Sequence, residues 1–355
     1  MKRFRLTHLY RGVLLSVMIA LLISACAAPS AVPAPREDGI VPVTGQFPVT
    51  IEHKFGSATI PEQPQRVVSL GFSEQDPILA LGIQPVAVRE WFGDHPFATW
   101  PWALDELGSA QPAVMKMTYG ELDFETIVAL DPDVIIATHS GITAEEYERL
   151  AQIAPTVAQP AAYVDFGVPW QEQTAIIGRA LGLEDTARQQ ISSVEASIQA
   201  AREVNPAFEG ASIAFASPAA GQGQYWVFSP NTPPLRFLTS LGFVFPEELA
   251  DLVGDRDAVE ISSEQIQLLD VDVLIWQVGS EEEKASLQSN PLYQQLGLTQ
   301  EGRDIFFVGY ADTLYGALSF STVLSLPYAV ENLVPQLAAA VDGDPTTTIP
   351  SSSEN

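Results

Sequence analysis

The sequence predicts an α/β protein of two lobes with a long helix between them. Three observations carry this. Short β-branched runs alternate with helical segments, the pattern of parallel strands covered by helices. Residues 170–204, WQEQTAIIGRALGLEDTARQQISSVEASIQAAREV, break that alternation with apolar positions at helical spacing. Residues 121–136, ELDFETIVALDPDVII, return as residues 260–275, EISSEQIQLLDVDVLI, with eight of sixteen positions identical.

The chain opens with four cations, Lys2, Arg3, Arg5 and Arg11, followed by an apolar core from Val13 to Ile23 and then Cys26, its only cysteine. This is the form of an export signal. The core falls well short of the ~20 apolar residues that a spanning helix needs. The small residues before Cys26 make it the expected lipid-attachment site, with the acyl chains holding the protein to a membrane outside the cytoplasm. A plain signal peptide with an incidental cysteine is the alternative. With Cys26 carrying lipid, no disulfide can form, and stability must come from packing. Residues 27–47, rich in Ala and Pro, read as a flexible tether, and residues 342–355 as a disordered tail.

Between them, strands are expected at 67–70, 86–88, 134–137, 156–157, 212–216, 273–276 and 305–308. An N-terminal lobe over 48–168 and a C-terminal lobe over 206–341 flank a connecting helix at 169–205, either single or two collinear pieces broken near Gly182. In each repeat a short amphipathic helix leads through an Asp-x-Asp turn into a buried strand, with the aspartates capping the turn. SEQD at 73–76 reads as a helix start with Ser73 as N-cap.

The chain holds 17 Lys and Arg against 44 Asp and Glu, and loss of the four signal-segment cations takes the formal charge from −27 to about −31. A surface of that sign repels nucleic acid and anionic head groups, so nucleic acid is not an expected partner. No nucleophile elbow, phosphate loop or zinc signature is present, and GQGQ at 221–224 is not a dinucleotide fingerprint. Catalysis is therefore not expected.

The segments PQRVVSLGFSEQDPILALGIQPVAV (64–88), GELDFETIVALDPDVIIA (120–137) and PLRFLTSLGF (234–243) resemble the substrate-binding lipoproteins of iron–siderophore ABC importers. The similarity covers residues 48–341. It implies two Rossmann-like lobes with parallel sheets, one long connecting α-helix, and a ligand cleft between the lobes. It implies a monomer that captures a ferric siderophore and delivers it to a permease dimer. Haem or cobalamin on the same fold is the alternative. Iron would arrive as a ferric chelate, so no resident cofactor or protein metal site is expected.

A bulky chelate needs aromatic walls and guanidinium groups for its oxygen-rich face. Ligands of open α/β sheets bind at the carboxyl ends of the strands, which makes Arg89 the first candidate for ligand charge and Trp91 a wall. The resemblance places Arg236 facing the cleft. Tyr225, Tyr310 and Tyr315 face the ligand or pack into the sheets. Tyr163, Phe166 and Trp170 precede the connecting helix and line its hinge side or the core. His53, His95 and His139 are not at metal-ligand spacing, but His139 follows a strand at a cleft-edge position and is a ligand-contact candidate. Glu125 and Glu264, equivalent in the repeat, resemble the glutamates that dock each lobe on the permease.

Overall fold

A computed structural model of the chain describes residues 45–219 and 223–350. The export signal, Cys26 and most of the tether lie outside the described residues.

An antiparallel hairpin, β1 (Val49–His53) and β2 (Gly56–Ile60), precedes the N-terminal lobe. That lobe is a five-stranded sheet of β3 (Val67–Ser69), β4 (Ala87–Arg89), β5 (Ala113–Met115), β6 (Val134–Ala137) and β7 (Thr156–Ala158). Its order is β5-β4-β3-β6-β7, and every pairing is parallel. β6 is buried on both faces, as its unbroken VIIA run requires of a central parallel strand. The strand order reverses between β3 and β6, which opens a crevice beyond their carboxyl ends.

The C-terminal lobe repeats the plan with β8 (Ile213–Pro218), β9 (Gln224–Phe228), β10 (Ala258–Ser262), β11 (Val273–Val278) and β12 (Asp304–Val308), ordered β10-β9-β8-β11-β12. This sheet is mixed, not wholly parallel as expected, because β9 runs antiparallel to both β8 and β10. Only residues 219–223 join β8 to β9. A parallel return needs a crossover of a dozen or more residues, so a short link enforces a hairpin.

The connecting segment also differs from a straight rod. Trp170–Ala180 and Glu184–Val204 are separate helices. They fold back on each other instead of running collinear, since Gln171 Nε2 donates to Glu195 Oε1 at 3.2 Å from 24 residues away. The turn falls at Gly182, whose φ of +73° suits glycine. Gly178 abuts Ala187 so closely that an added Cβ would lie 2.4 Å from its methyl group. The end of the tether closes on this turn, with Gly45 N–H donating to Gly182 O at 2.9 Å. The second helix, 21 residues long, runs from the N-terminal lobe, where Gln190 reaches Ala80 O, to the C-terminal core, where Val194, Ile198 and Ala201 are buried.

The repeat folds alike at its strands and unlike at its helices. Phe124–Ala129 is an α-helix capped by Asp123, whereas Ser263–Leu269 is a 3-10 helix capped by Ser262 and Gln265. The second aspartate of each repeat does more than cap a turn. Asp133 accepts from the backbone N–H groups of Gln65 and Arg66, just before β3. Asp272 accepts from the N–H and hydroxyl of Ser212, just before β8. Each pins the start of one central strand to the start of its neighbour. The tail reading also needs correction at its near end, because Ile349 packs against the C-terminal core.

Candidate functional site

Both lobes lie in one compact unit and enclose a cleft of about 1230 Å³. The N-terminal wall comes from the residues beyond all five parallel strands: Phe72 after β3, Glu90 and Trp91 after β4, Lys116 to Tyr119 after β5, His139 after β6, and Ala162 to Gly167 after β7. The C-terminal wall is built differently. Phe215 and Phe228 come from β8 and β9, the loop from Ser229 to Thr232 leads into the helix Pro233–Ser240 with Arg236, and Asp255 to Asp257 precede β10. Tyr315 and Ser319 come from the helix Thr313–Phe320. Eight aromatic residues, Phe72, Trp91, Tyr119, Tyr163, Phe166, Phe215, Phe228 and Tyr315, line the space.

The aromatic wall is connected. Trp91 lies 5.8 Å from Phe72 and 6.1 Å from His139, ring to ring, and Phe166 lies 5.1 Å from His139 and 6.2 Å from Phe72. Phe166 holds φ at +63°, a costly backbone state for an aromatic residue that the surrounding packing must sustain. Its loop is tied down by the Lys54–Asp165 ion pair and by Gln159 Nε2 donating to Tyr163 O at 2.7 Å.

Arg236 spans the lobes, donating from Nη1 to Gly167 O at 2.9 Å. Burial lowers its pKa. The imidazole of His139 is pushed down to about 4, by burial first and by the Arg236 charge second, so it stands neutral in the wall. Behind these two residues lies a second chamber of about 350 Å³ that reaches Trp170, Gln173 and Glu195. The lobes also meet through Asp76, whose Oδ2 accepts from Trp102 Nε1 at 2.8 Å and from Thr322 Oγ1 of the other lobe. Gly316 lets its helix press on Trp100, since a Cβ there would lie 2.4 Å from the indole.

Of the residues singled out in the sequence, Trp91, Arg236, Tyr315 and His139 come together in the cleft, as do Tyr163 and Phe166; Trp170 lines the chamber behind. Three expectations are corrected. Arg89 is 1% exposed and does not line the cleft. It is the last residue of a strand buried throughout, and its guanidinium donates to Met117 O at 2.9 Å and Thr118 O at 2.6 Å while lying 4.2 Å from the Phe72 ring centre. It braces the wall from behind. Tyr225 is 5% exposed in the C-terminal core, against Trp276 at 5.4 Å. Strand alternation turns it inward and turns Trp226 out. Tyr310 is 61% exposed and stands 6.0 Å from Tyr315 outside the lining.

Ser73 is not an N-cap either; Glu74 holds that position without capping, and its buried carboxylate accepts from His139 N–H at 2.5 Å and Thr138 Oγ1 at 3.3 Å. Burial raises its pKa to about 7. Glu125 and Glu264 are both exposed, each in the first turn of its helix. Phe72, Tyr119, Lys116, Phe215, Phe228 and Arg256 were missed. The first three follow predicted or short strands and were within reach of the strand-end rule; the last three were not.

Comparison with known proteins agrees with this architecture. Residues 67–306 match the family model described as periplasmic binding protein. A periplasmic solute binding protein of Mycobacterium smegmatis has 37% identity and a TM-score of 0.74, covering 82% of this chain and 98% of its own. PiaA of Streptococcus pneumoniae, solved in complex with ferrichrome, has 28% identity and a TM-score of 0.70, covering 83% and 99%. The ferric enterobactin-binding periplasmic protein FepB of Escherichia coli O6:H1 is 25% identical over 318 residues, covering 86% and 93%. With its two lobes, its strand order and this match over most of its length, the chain belongs to the periplasmic binding protein family.

Proposed function

We propose that the protein is the extracytoplasmic substrate-binding component of an ABC importer, and that it captures a ferric siderophore and delivers it to the permease. The observation that carries this is the cleft: about 1230 Å³ between two lobes, with eight aromatic walls and Arg236 reaching across. Such a space suits a bulky organic chelate that brings its own iron ligands. Among the described residues no group of three His, Cys, Asp or Glu stands close enough to hold a metal ion. PiaA with ferrichrome and ferric enterobactin-binding FepB support the ligand class.

Cys26 carries the lipid that holds a monomer beside its transporter. Glu125 and Glu264 present one carboxylate from each lobe to the permease dimer, since a pseudo-twofold binder on a twofold partner needs matched contacts. The protein binds and releases without catalysis.

Titration of the purified protein with ferric siderophores, haem and cobalamin, followed by fluorescence of its six tryptophans, tests the ligand class. Saturable quenching by a ferric siderophore is expected. Saturation only by haem or cobalamin overturns the reading.

A further inference from the structure

The chamber of about 350 Å³ behind the cleft is a separate space, parted from the cleft by His139, Pro233 and Arg236, which line both. Its other walls come from the hinge and the C-terminal lobe. Trp170 and Gln173 belong to the first hinge helix, Glu195 and Ile198 to the second, Phe237 to the helix Pro233–Ser240, and Leu326 to the helix Ser325–Val341. Its volume falls at the small end of ligand pockets, which run from roughly 300 to 1,000 Å³.

The polar groups of this chamber have bonding capacity to spare. Gln173 is 4% exposed, yet only its Nε2 is engaged, by Ser73 Oγ at 3.4 Å and Thr138 Oγ1 at 3.3 Å. Among the described residues its Oε1 accepts nothing, and a buried amide oxygen without a donor is costly. Arg236 donates from Nη1 to Gly167 O and forms no ion pair among the described residues. Glu195, exposed on the second hinge helix, accepts from Gln171 Nε2 through Oε1 alone. The chamber thus offers an unmatched acceptor and an unmatched cation beside an apolar bed.

We propose that this chamber is a second binding site, for a free α-amino acid with an apolar side chain. The carboxylate of such a molecule meets the unspent donors of Arg236, whose planar fork suits two oxygens. Its ammonium donates to Gln173 Oε1 and is favoured by the charge of Glu195. Its side chain rests among Ile198, Phe237 and Leu326. Neither half suffices, since an amine alone leaves Arg236 unmatched and a carboxylate alone leaves Gln173 so. The site does not depend on which molecule fills the cleft.

Calorimetric titration of the full chain with L-valine, L-leucine and L-phenylalanine decides it, with 4-methylpentanoate and 3-methylbutylamine as leucine lacking its amine or its carboxylate. At least one of the amino acids is expected to bind saturably. Where leucine binds, each truncated form should bind at least about tenfold more weakly, because each loses its charged hydrogen bonds. Trp170 lines the chamber and not the cleft, so it reports the place. The fluorescence response to the bound amino acid should vanish in Trp170→Phe while the heat of binding remains. Ser240→Phe puts a ring into the chamber from the exposed end of its helix. It should weaken binding at least about tenfold in a protein whose cooperative urea transition shows it folded. Absence of heat with all three amino acids, a truncated form that equals leucine, a response that persists in Trp170→Phe, or an affinity unmoved in folded Ser240→Phe overturns the second site. The reading of the cleft stands in each of these cases.

Discussion

The N-terminal lobe meets the cleft with the ends of its strands; the C-terminal lobe meets it with a sheet face and the starts of helices. The two lobes share a duplicated segment and the same strand order, yet only one follows the strand-end rule. The difference begins at β9. Its short link to β8 turns it antiparallel, so Phe228 ends beside the cleft while Tyr225, at the other end of the strand, is carried into the core. Equivalent sequence therefore does not guarantee equivalent surface.

The repeat predicts symmetry on the outside of the molecule even where the cleft is asymmetric. Glu125→Lys and Glu264→Lys test this most severely. Juxtaposed like charges at an interface cost several kcal/mol, so each reversal should cut transport at least about tenfold. Ferrichrome affinity, measured by tryptophan quenching, should be unchanged in both. Loss of transport in only one variant would break the symmetry, and loss of ligand affinity would remove these glutamates from the docking role.

The seam between the lobes has no counterpart in either half. Asp76 is fully buried there, with Oδ2 bonded to both lobes and Oδ1 without a partner. Burial raises its pKa from 3.8 to about 7. A raised carboxylate pKa means that the folded state holds a proton the unfolded state has lost. Its stabilising contribution is full below the unfolded value and disappears as pH rises through about 7. Asp76→Asn keeps an oxygen for both bonds and removes the titration. Relative to this variant, the wild type should lose about 2 kcal/mol between pH 5 and 7, on the order of 1.4 kcal/mol per unit. Urea unfolding across that range checks it, and a flat difference between the two proteins counts against a protonated Asp76.

Within the lobes, Asp133 and Asp272 make clamps at equivalent places, on the N–H groups of Gln65 and Arg66 in one and on the N–H and hydroxyl of Ser212 in the other. Replacing Asp133 with Ala leaves the N–H groups of Gln65 and Arg66 unpaired, and replacing Asp272 leaves the N–H and hydroxyl of Ser212 unpaired and frees Arg303, a loss of roughly 1–3 kcal/mol each. Similar shifts in the urea midpoint are expected. A much larger cost in one lobe would show that the clamp is not equivalent.

Much of this was legible beforehand. All seven expected strands are present, because buried parallel strands leave dense apolar runs such as VIIA and VLIW. Trp91, Arg236, Tyr315 and His139 were identified as site residues from their positions after strands or from family resemblance. The edge strands β5 and β10, half exposed, left weaker patterns. The hairpin of the two hinge helices was not readable, since apolar spacing fixes a helix face but not the direction taken after a glycine. Arg89 was misplaced because a charged residue on a short strand looks alike whether its donors meet a ligand or the carbonyls of a neighbouring loop. Phe215 was invisible as a site residue because a core phenylalanine and a wall phenylalanine have the same pattern.

The sharpest test of the comparison sets one strand-end aromatic against another. Trp91 follows β4 in the N-terminal lobe, is 38% exposed, and lines the cleft beside Phe72, His139 and Phe320. Tyr310 follows β12 in the C-terminal lobe and is more exposed, at 61%, but lies outside the lining. If strand ends carry the site only in the first lobe, Trp91→Ala should weaken ferrichrome binding about tenfold, the worth of one well-placed aromatic contact at roughly 1.4 kcal/mol. Tyr310→Ala should change it by less than about twofold, because an exposed ring outside the contact surface loses nothing on truncation. Titration of both variants against wild type settles the matter. Equal losses would mean that closure brings Tyr310 onto the ligand, and the C-terminal lobe would then obey the same rule as its partner.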